Sequence, residues 1–296
     1  LHAVPFGFTV RGPRAVASRG GASVPGLQDE NMSETTLAHV HVNVNGLRHQ
    51  FASGLQAVNN ADLQVRQGEL VVIVGPSGCG KTTILNIVAG LIGKQEGSVT
   101  IAGSAPAAGR KDIAYMFAQD ALLPWRTVMD NVLFGVEVHS GRRSLDEATR
   151  ARAKQLIRNI GLAGFEDFYP RQLSHGMRQR AALARTFMMD SALLLMDEPF
   201  GALDAHTKLT LEQELLTLWE NNRRTVIFIT HDLAEAIFLA DRVLVCSARP
   251  GRILSSIDVP FERPRDLKAL QKTDDYHKLY QRIWSDLSRE MDITHG

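Results

Sequence analysis

The stretch Gly75-Pro-Ser-Gly-Cys-Gly-Lys81-Thr82-Thr83 decides the fold of this chain, because it matches the pattern G-x-x-x-x-G-K-[ST] of a phosphate-binding loop. The apolar run at residues 70–74 directly before it predicts a buried strand. Residues 82–89 directly after it predict a helix. A glycine-rich turn with a chance lysine is the alternative, but such a turn has no need of both flanking elements.

The residue types in the loop suit an anion. Its glycines let the backbone curl so that successive N–H groups point at phosphate oxygens, and the helix start adds the positive end of its dipole. Lys81 is expected to reach the β- and γ-phosphates, and the Thr82 hydroxyl is expected to bind Mg²⁺. The predicted nucleotide-binding residues of the loop are Gly75, Pro76, Ser77, Gly78, Cys79, Gly80, Lys81, Thr82 and Thr83.

Composition narrows the class of protein. The chain has 296 residues, 44% of them hydrophobic, which is enough for one large α/β domain or two small ones. Its net charge of +1 gives no electrostatic reason to expect a nucleic-acid partner. The two cysteines, Cys79 and Cys246, are not expected to form a structural disulfide, and this usage suits a reducing cytoplasm. No apolar run approaches the roughly 18 residues that span a bilayer.

Strands and helices alternate after the loop. Apolar runs predict strands at residues 113–117, 192–196, 226–229 and 243–245, with helices at 178–188 and 205–221. This order predicts an α/β fold with a mainly parallel sheet, whose catalytic groups lie at the carboxyl ends of the strands. Shorter strands are predicted upstream at residues 40–44, 63–65 and 99–101. There His39 and His41 share one face and are expected to be exposed to solvent rather than to bind a metal.

The two ends of the chain differ from its middle. Residues 1–32 carry arginines without apolar periodicity, and we expect a disordered or non-native extension, with a targeting peptide as the alternative. Residues 33–258 are the predicted main domain, which contains the phosphate-binding loop. Residues 259–296 are a predicted linker and an amphipathic helix, in which Leu279, Ile283 and Leu287 recur at spacing four. That spacing favours docking of the helix on the body of the chain.

An acidic pair follows the apolar strand at residues 192–196. A phosphate-binding loop needs a carboxylate at the end of a neighbouring strand to hold the Mg²⁺ shell, and Asp197 is placed to do so. The next carboxylate, Glu198, can face the γ-phosphate, where it could orient and deprotonate water. A pair of acids at a helix start is the alternative.

Several motifs in this order resemble the ATP-binding subunits of ABC transporters over about residues 37–257. Two further stretches, residues 122–126 and 196–204, look like the importer branch for nitrate, sulfonates and taurine, and the tail at 249–252 and 263–265 is similar. The motifs, besides the phosphate-binding loop, are Gln119, Leu173-Ser-His-Gly-Met177, Leu195-Met-Asp-Glu-Pro199, Gly201-Ala-Leu-Asp204 and Thr230-His-Asp232.

The resemblance implies a P-loop NTPase fold of the ABC ATPase type. It has a mainly parallel sheet, an N-terminal antiparallel β subdomain and an α-helical subdomain inserted at about residues 121–190. It also implies roles for single residues. Phe51 would stack on adenine, with core packing as the alternative. Gln119 would touch Mg²⁺ and the attacking water, and His231 would contact the γ-phosphate. Lys81, Gln119, Glu198 and His231 are thus the predicted catalytic residues, and Thr82, Gln119 and Asp197 the predicted Mg²⁺ ligands.

Ser174 and Gly176 match the signature motif, which in the family closes over ATP bound to a second copy. The resemblance therefore implies a head-to-tail homodimer with two ATP molecules between the copies, and Asp204 in a loop that touches the partner copy. His175 departs from the pattern, because the family usually has glycine there. Its side chain could crowd the closed dimer or add a contact to nucleotide, and we expect hydrolysis to survive.

The implied function is ATP hydrolysis that drives uptake of a small solute. The implied partners are two membrane-spanning permease subunits and, indirectly, a solute-binding protein outside the membrane, with this chain on its cytoplasmic face. One alternative is an ABC ATPase that acts on nucleic acid or the ribosome. Such proteins usually carry two cassettes or long coiled-coil insertions, which this sequence lacks. Another is a regulatory module without turnover, which the presence of both Glu198 and His231 disfavours.

Overall fold

The computed structural model describes residues 39–141, 145–201 and 203–294. The predicted extension at residues 1–32 lies outside this part of the chain. The strands are β1 (Val40–Gln50), β2 (Gln56–Arg66), β3 (Leu70–Val74), β4 (Glu96–Ile101), β5 (Ile113–Met116), β6 (Leu193–Asp197), β7 (Thr225–Thr230), β8 (Arg242–Cys246) and β9 (Ile253–Asp258). The helices are α1 (Lys81–Val88), α2 (Val128–Ser140), α3 (Glu147–Asn159), α4 (His175–Met188), α5 (Ala205–Asn221), α6 (Leu233–Leu239), α7 (Leu267–Leu270) and α8 (Asp274–Thr294), with a 3-10 turn at Pro170–Gln172.

Two sheets organise these elements. Strands β2-β1-β4 form an antiparallel sheet, and β5-β6-β7-β3-β8-β9 form a six-stranded sheet that is parallel except for the edge strand β9. Helices α2, α3 and α4 lie between β5 and β6 in the chain and pack against one another. The predicted fold class, with its parallel core, antiparallel β part and inserted helices, is confirmed. The exact boundaries of the subdomains stay predictions.

The core lies on both faces of the six-stranded sheet, because successive side chains of a strand point to opposite sides. In β3, Leu70, Val72 and Val74 belong to one buried cluster with the helices α4, α5, α6 and α8. The alternate residues Val71 and Ile73 belong to a second cluster with α1 and the antiparallel sheet. A strand buried on both faces reads as an unbroken apolar run, which is why the sequence marks it so clearly.

Helix α8 docks on the body of the chain, as its spacing predicts. Leu279, Ile283 and Leu287 are buried in the first cluster, and α8 packs against α6, β8 and β9. Tyr280 and Trp284 lie on the same helix and are exposed. No helix of the described residues is both long enough and apolar enough to cross a membrane.

Three details differ from the sequence-based expectations. His41 is buried, and its Nδ1 lies 2.5 Å from the Thr225 hydroxyl of the neighbouring sheet, so it is not the exposed residue that its strand face suggested. Helix α4 begins at His175 rather than at about Arg178, and Ser174 caps it, as the preference of serine for helix N-caps predicts. Residues 144–147 fit the pattern of a capping box that would begin at Ser144, a residue outside the described part of the chain, and the structure has Asp146 as the N-cap of helix α3.

Candidate functional site

The carboxyl ends of three neighbouring strands bring the predicted residues together. Strand β3 lies beside β7, which lies beside β6, and the register pairs Val74 with Thr230 and Asp197 with Ile229. The first residues beyond these strands are therefore neighbours: the phosphate-binding loop after β3, Glu198 after β6 and His231 after β7. The site forms at one edge of the sheet because parallel strands end there together.

The phosphate-binding loop has the backbone geometry that its glycines allow. Gly80, which precedes helix α1, has φ +105°, and a Cβ atom there would lie 2.5 Å from the Ala57 carbonyl oxygen. Only glycine fits this position. Lys81 is 4% exposed, and its Nζ donates to the carbonyl oxygens of Gly75 (2.8 Å) and Pro76 (2.9 Å). The ammonium group is thus held against the loop that would receive the phosphates.

A pair of oxygen groups lies beside the start of helix α1. The Thr82 hydroxyl donates to the Asp197 carboxylate at 3.0 Å. Burial raises the pKa of Asp197, and the charge of Glu198 raises it further. A hydroxyl and a carboxylate are the hard oxygen ligands that Mg²⁺ prefers, so these two residues fit the predicted ion. Gln119 is exposed in the loop after β5, and within the described residues no hydrogen bond joins its side chain to either of them.

Glu198 faces both a histidine and a lysine. Its Oε2 lies 3.1 Å from His231 Nδ1, and its Oε1 lies 4.0 Å from Lys81 Nζ. The Glu198 backbone N–H donates to the Ile229 carbonyl oxygen at 3.0 Å, which fixes the residue against strand β7. Its φ of +44° lies in the left-handed region that favours glycine. The arrangement places a carboxylate and an imidazole side by side, next to the lysine of the phosphate-binding loop.

A cavity of about 250 Å³ opens beside the phosphate-binding loop. Phe51 lies at this cavity with 40% of its surface exposed, and core packing of its ring is therefore not observed. Its ring meets His49 edge to face at 4.8 Å between centroids. The cavity is lined by Phe51, Leu55, Ala57, Gly78, Gly80, Lys81, Thr82, Thr83 and Arg249.

The signature residues lie elsewhere. Ser174 caps helix α4 by accepting a hydrogen bond from the Met177 N–H at 3.3 Å, and neither Ser174 nor Gly176 lines the cavity described above. A Cβ atom at Gly176 would lie 2.8 Å from Thr207 Cγ2, so this position packs closely against helix α5. His175 Nδ1 lies 3.4 Å from the Arg178 guanidinium, and its buried Nε2 has no partner among the described residues.

Helix α4 also holds the loop that carries Gln119, which the sequence did not predict. Arg178 Nε donates to the Asp120 carboxylate at 2.8 Å, and Arg185 donates to the backbone carbonyl oxygens of Asp120 and Ala121 at 2.8 and 2.7 Å. Gln179 donates to the Ala118 carbonyl oxygen at 3.2 Å. The polar residues that follow the signature motif were the only sign in the sequence of such contacts, and they do not identify the loop that they contact. The Gln119 loop and the signature helix are therefore mechanically joined.

A second feature that the sequence did not reveal is a buried cluster beside His231. Lys208 Nζ lies 2.7 Å from Asp232, 3.6 Å from Glu235 and 3.9 Å from Glu212. Glu235 also accepts a hydrogen bond from the Thr230 hydroxyl. Burial raises the pKa of Glu212 to about 8, with a further rise from the charge of Glu235, while Lys208 opposes both. Three carboxyl groups lie near a single ammonium group here, so the charge of Lys208 cannot offset ionisation of all three, and Glu212 keeps its proton to higher pH.

Replacing Glu212 by Gln should therefore make the protein more stable to alkaline pH. A carboxyl group whose pKa is raised in the folded state binds its proton more tightly there than in the unfolded chain. The resulting stability is complete below the unfolded pKa and is lost as the pH rises through about 8. The wild-type melting temperature should fall more between pH 6 and pH 9 than that of Glu212→Gln. The exposed carboxylate of Asp167, changed to Asn, is the control and should follow the wild type.

Comparison with known proteins agrees with this geometry. Residues 58–201 match the family described as ABC transporter. The taurine import ATP-binding protein TauB of Yersinia pestis bv. Antiqua is 42% identical over 74% of this chain and 85% of that protein. The aliphatic sulfonates import ATP-binding protein SsuB of Bacillus cereus is 37% identical over 78% of this chain and 92% of that protein.

A solved structure extends the comparison to the fold. A dimeric ATP-binding cassette in a post-hydrolysis state, bound to ADP and Pi, superposes with a TM-score of 0.66. It is 29% identical, and the match covers 75% of this chain and all of that one. The resemblance read from the motifs is confirmed, and the two named relatives fall in the importer branch that the sequence indicated. The chain belongs to the family of ABC transporter ATP-binding subunits, and it is an ATPase.

Proposed function

We propose that this chain is the ATP-hydrolysing subunit of an importer for a small solute such as taurine, another sulfonate or nitrate. One observation carries the proposal: Lys81, the Thr82–Asp197 pair and the Glu198–His231 pair converge at three adjacent strand ends. The choice of solute follows only from what the relatives are named for. In such importers the membrane subunits and an external binding protein select the solute, so this chain would need to bind only the nucleotide.

The residues at the strand ends divide the work of hydrolysis. Glu198 orients the attacking water and accepts its proton, and His231, 3.1 Å away, holds that carboxylate and faces the γ-phosphate. Lys81 and the loop N–H groups stabilise the charge that develops on the phosphate oxygens. Thr82, Asp197 and Gln119 would hold Mg²⁺, which supplies further neutralisation of that charge when it is bound. Phe51, which lines the same cavity, would stack on the adenine.

We propose that two copies complete each site. Ser174 and Gly176 do not line the cavity of their own copy, so they are free to close over ATP held by another one. The amino terminus of helix α4 suits an anion, because its first backbone N–H groups have no partner within the helix. The solved cassette that this chain resembles is itself dimeric. The closed dimer would form with ATP and separate after hydrolysis.

The loop after β5 is the proposed contact with the permease subunits. Trp125 is 71% exposed, which is unusual for so large an apolar side chain. Residues of the same loop contribute to an apolar cavity of about 290 Å³, which is lined in part by Phe117, Leu123 and Phe134. The same loop carries Gln119 and is tied to helix α4 by Arg178 and Arg185. Movement at the nucleotide would therefore reach a surface suited to an apolar helix of the permease at the cytoplasmic face of the membrane.

A photo-crosslinking residue in place of Trp125 tests this proposal in living cells. We expect an adduct with an integral membrane protein, formed with a crosslinker at residue 125 and not with one at exposed Lys94 on another loop. An adduct with ribosomal proteins or nucleic acid would favour the alternative ABC ATPase instead. ATPase activity of the purified chain is measured in parallel. Absence of both hydrolysis and a membrane adduct would overturn the proposal.

The unusual His175 should permit closure of the dimer. Its Nδ1 lies near Arg178 on the same helix, which directs the ring along α4 rather than away from it. We expect an ATP-dependent dimer in the background of Glu198→Gln, seen by size-exclusion chromatography with light scattering. Adding His175→Gly should change its dissociation constant by less than about threefold, a free-energy change of less than about 0.7 kcal/mol, because the ring already lies along its own helix. A dimer that forms only with His175→Gly would show that the ring blocks closure.

A further inference from the structure

The turn between β8 and β9 is fastened to the phosphate-binding loop. Within the turn, the Ser247 N–H donates to the Arg252 carbonyl oxygen at 2.9 Å, and the Arg252 N–H donates back to the Ser247 hydroxyl at 2.9 Å. Gly251 donates to the Ala57 carbonyl oxygen at 2.9 Å and accepts from the Asn59 N–H at 3.0 Å. These bonds fix the turn beside strand β2, next to the nucleotide cavity.

Arg249 reaches from this turn to the phosphate-binding loop. Its Nε donates to the Gly78 carbonyl oxygen at 3.0 Å. A Cβ atom at Gly78 would lie 2.8 Å from a terminal nitrogen of the Arg249 guanidinium, so the group lies directly against that residue. Gly251 approaches the loop as closely, because a Cβ atom there would lie 2.2 Å from the Cys79 carbonyl oxygen. The contacts that position the guanidinium are thus with backbone atoms rather than with mobile side chains.

The charge of Arg249 has no acidic partner. No carboxylate of the described residues lies within 4.0 Å of its guanidinium, and none lines the cavity that it shares with Lys81. One Arg249 N–H is used by Gly78, and the terminal nitrogens keep further donors. Guanidinium groups with free donors bind phosphate oxygens well, often through two parallel hydrogen bonds.

We propose that Arg249 binds the phosphate chain of the nucleotide held by its own copy. The geometry that carries this proposal is a guanidinium with no carboxylate partner among the described residues, held against Gly78 and lining the same cavity as the buried Lys81. The inference rests on the proposed function and adds a residue to its nucleotide site. The contact forms with the bound nucleotide before reaction, so its loss should act mainly on KM and less on kcat. Because Arg249 would contact the phosphate chain, it should strengthen binding of a nucleotide with two or three phosphates more than binding of AMP.

The test compares Arg249→Gln, Arg249→Lys and the control Arg252→Gln in the full chain. Arg252 is an exposed arginine of the same turn that does not line the cavity. Dissociation constants for AMP and ADP are measured by calorimetry at low and high salt, with ATPase kinetics alongside. We expect Arg249→Gln to weaken ADP roughly tenfold, as loss of a hydrogen bond to a charged group does. AMP should weaken much less, Arg249→Lys should recover part of the loss, and Arg252→Gln should match the wild type.

Salt separates a direct contact from a change in loop shape. Loss of a charge that touches the phosphates should flatten the salt dependence of ADP binding, whereas a distorted loop should leave that dependence as it was. An equal loss for AMP and ADP would mean that Arg249 contacts the base or ribose and would overturn the proposal. So would an unchanged salt dependence, or no loss at all. If the wild type itself neither binds ADP nor hydrolyses ATP, the proposed function fails first, and the two failures are distinguishable.

Discussion

Replacing Glu198 by Gln is expected to lower kcat for ATP hydrolysis by about 10²–10⁴-fold, the range typical of a lost general base. The amide keeps the size of the side chain and its place at 3.1 Å from His231, but it cannot accept a proton from water. Nucleotide binding should remain, because Glu198 does not line the cavity beside the phosphate-binding loop. Steady-state phosphate release measures the first effect, and ADP calorimetry measures the second.

The exposed carboxylate of Glu262 offers a matched control for this change. Glu262→Gln carries the same chemical alteration away from the strand ends and should hydrolyse ATP at the wild-type rate. Turnover of Glu198→Gln within about fivefold of the wild type would mean that another group takes the proton. His231 would then be the first candidate, since its Nδ1 lies 3.1 Å from Glu198 Oε2 and a neutral imidazole can accept a proton, whereas the Lys81 ammonium group at 4.0 Å cannot.

The second large effect is expected from Lys81→Ala, which should reduce hydrolysis by at least about 10²–10³-fold. The change removes the buried cation of the loop and its hydrogen bonds to the carbonyl oxygens of Gly75 and Pro76. Affinity for ATP and ADP should fall as well, because Lys81 lines the cavity. Phosphate release and ADP calorimetry again separate the two effects.

The fold should survive this change. Helix α1 packs through Ile84, Leu85, Ile87 and Val88, which stay in place, and alanine is a good helix former. The melting temperature of Lys81→Ala without nucleotide should therefore stay close to that of the wild type, and exposed Lys94→Ala is the control for activity. Unimpaired hydrolysis by a folded Lys81→Ala protein would be incompatible with the proposed site.

The sequence predicts those parts of the site that depend on local pattern. An apolar strand followed by a glycine-rich loop, or by an acidic pair, is visible within about ten residues, and the rule that parallel strands end together supplies the rest. Lys81, Thr82, Asp197 and Glu198 were placed in this way, whereas the role of His231 came from the family resemblance. The structure brings all five side chains together. The importer branch was likewise visible in short stretches, and the named relatives agree with it.

Contacts between distant parts of the chain could not be predicted. His41 was expected at the surface because apolar and polar residues alternate along its strand. Only the fold shows that Thr225, 184 residues further along the chain, contacts its ring. Arg249 stood out only within the stretch 249–252 that resembles the importer branch, whereas its hydrogen bond to the Gly78 carbonyl oxygen joins residues 171 positions apart. The acids around Lys208 come from helix α5 (Glu212), helix α6 (Glu235) and the short loop between β7 and α6 (Asp232). Periodicity reports which face of an element is apolar, but not which polar groups meet there.

The left-handed backbone of Glu198 has a consequence for anyone who engineers this chain. For a residue with a side chain, left-handed backbone costs roughly 1–2 kcal/mol relative to right-handed helical backbone, whereas glycine adopts it freely. Selection for heat resistance alone should thus enrich Glu198→Gly, a protein that survives warming but no longer turns over ATP. Screens for thermally stable variants should therefore measure ATP hydrolysis in every round, because the most stable variants could otherwise lack ATPase activity.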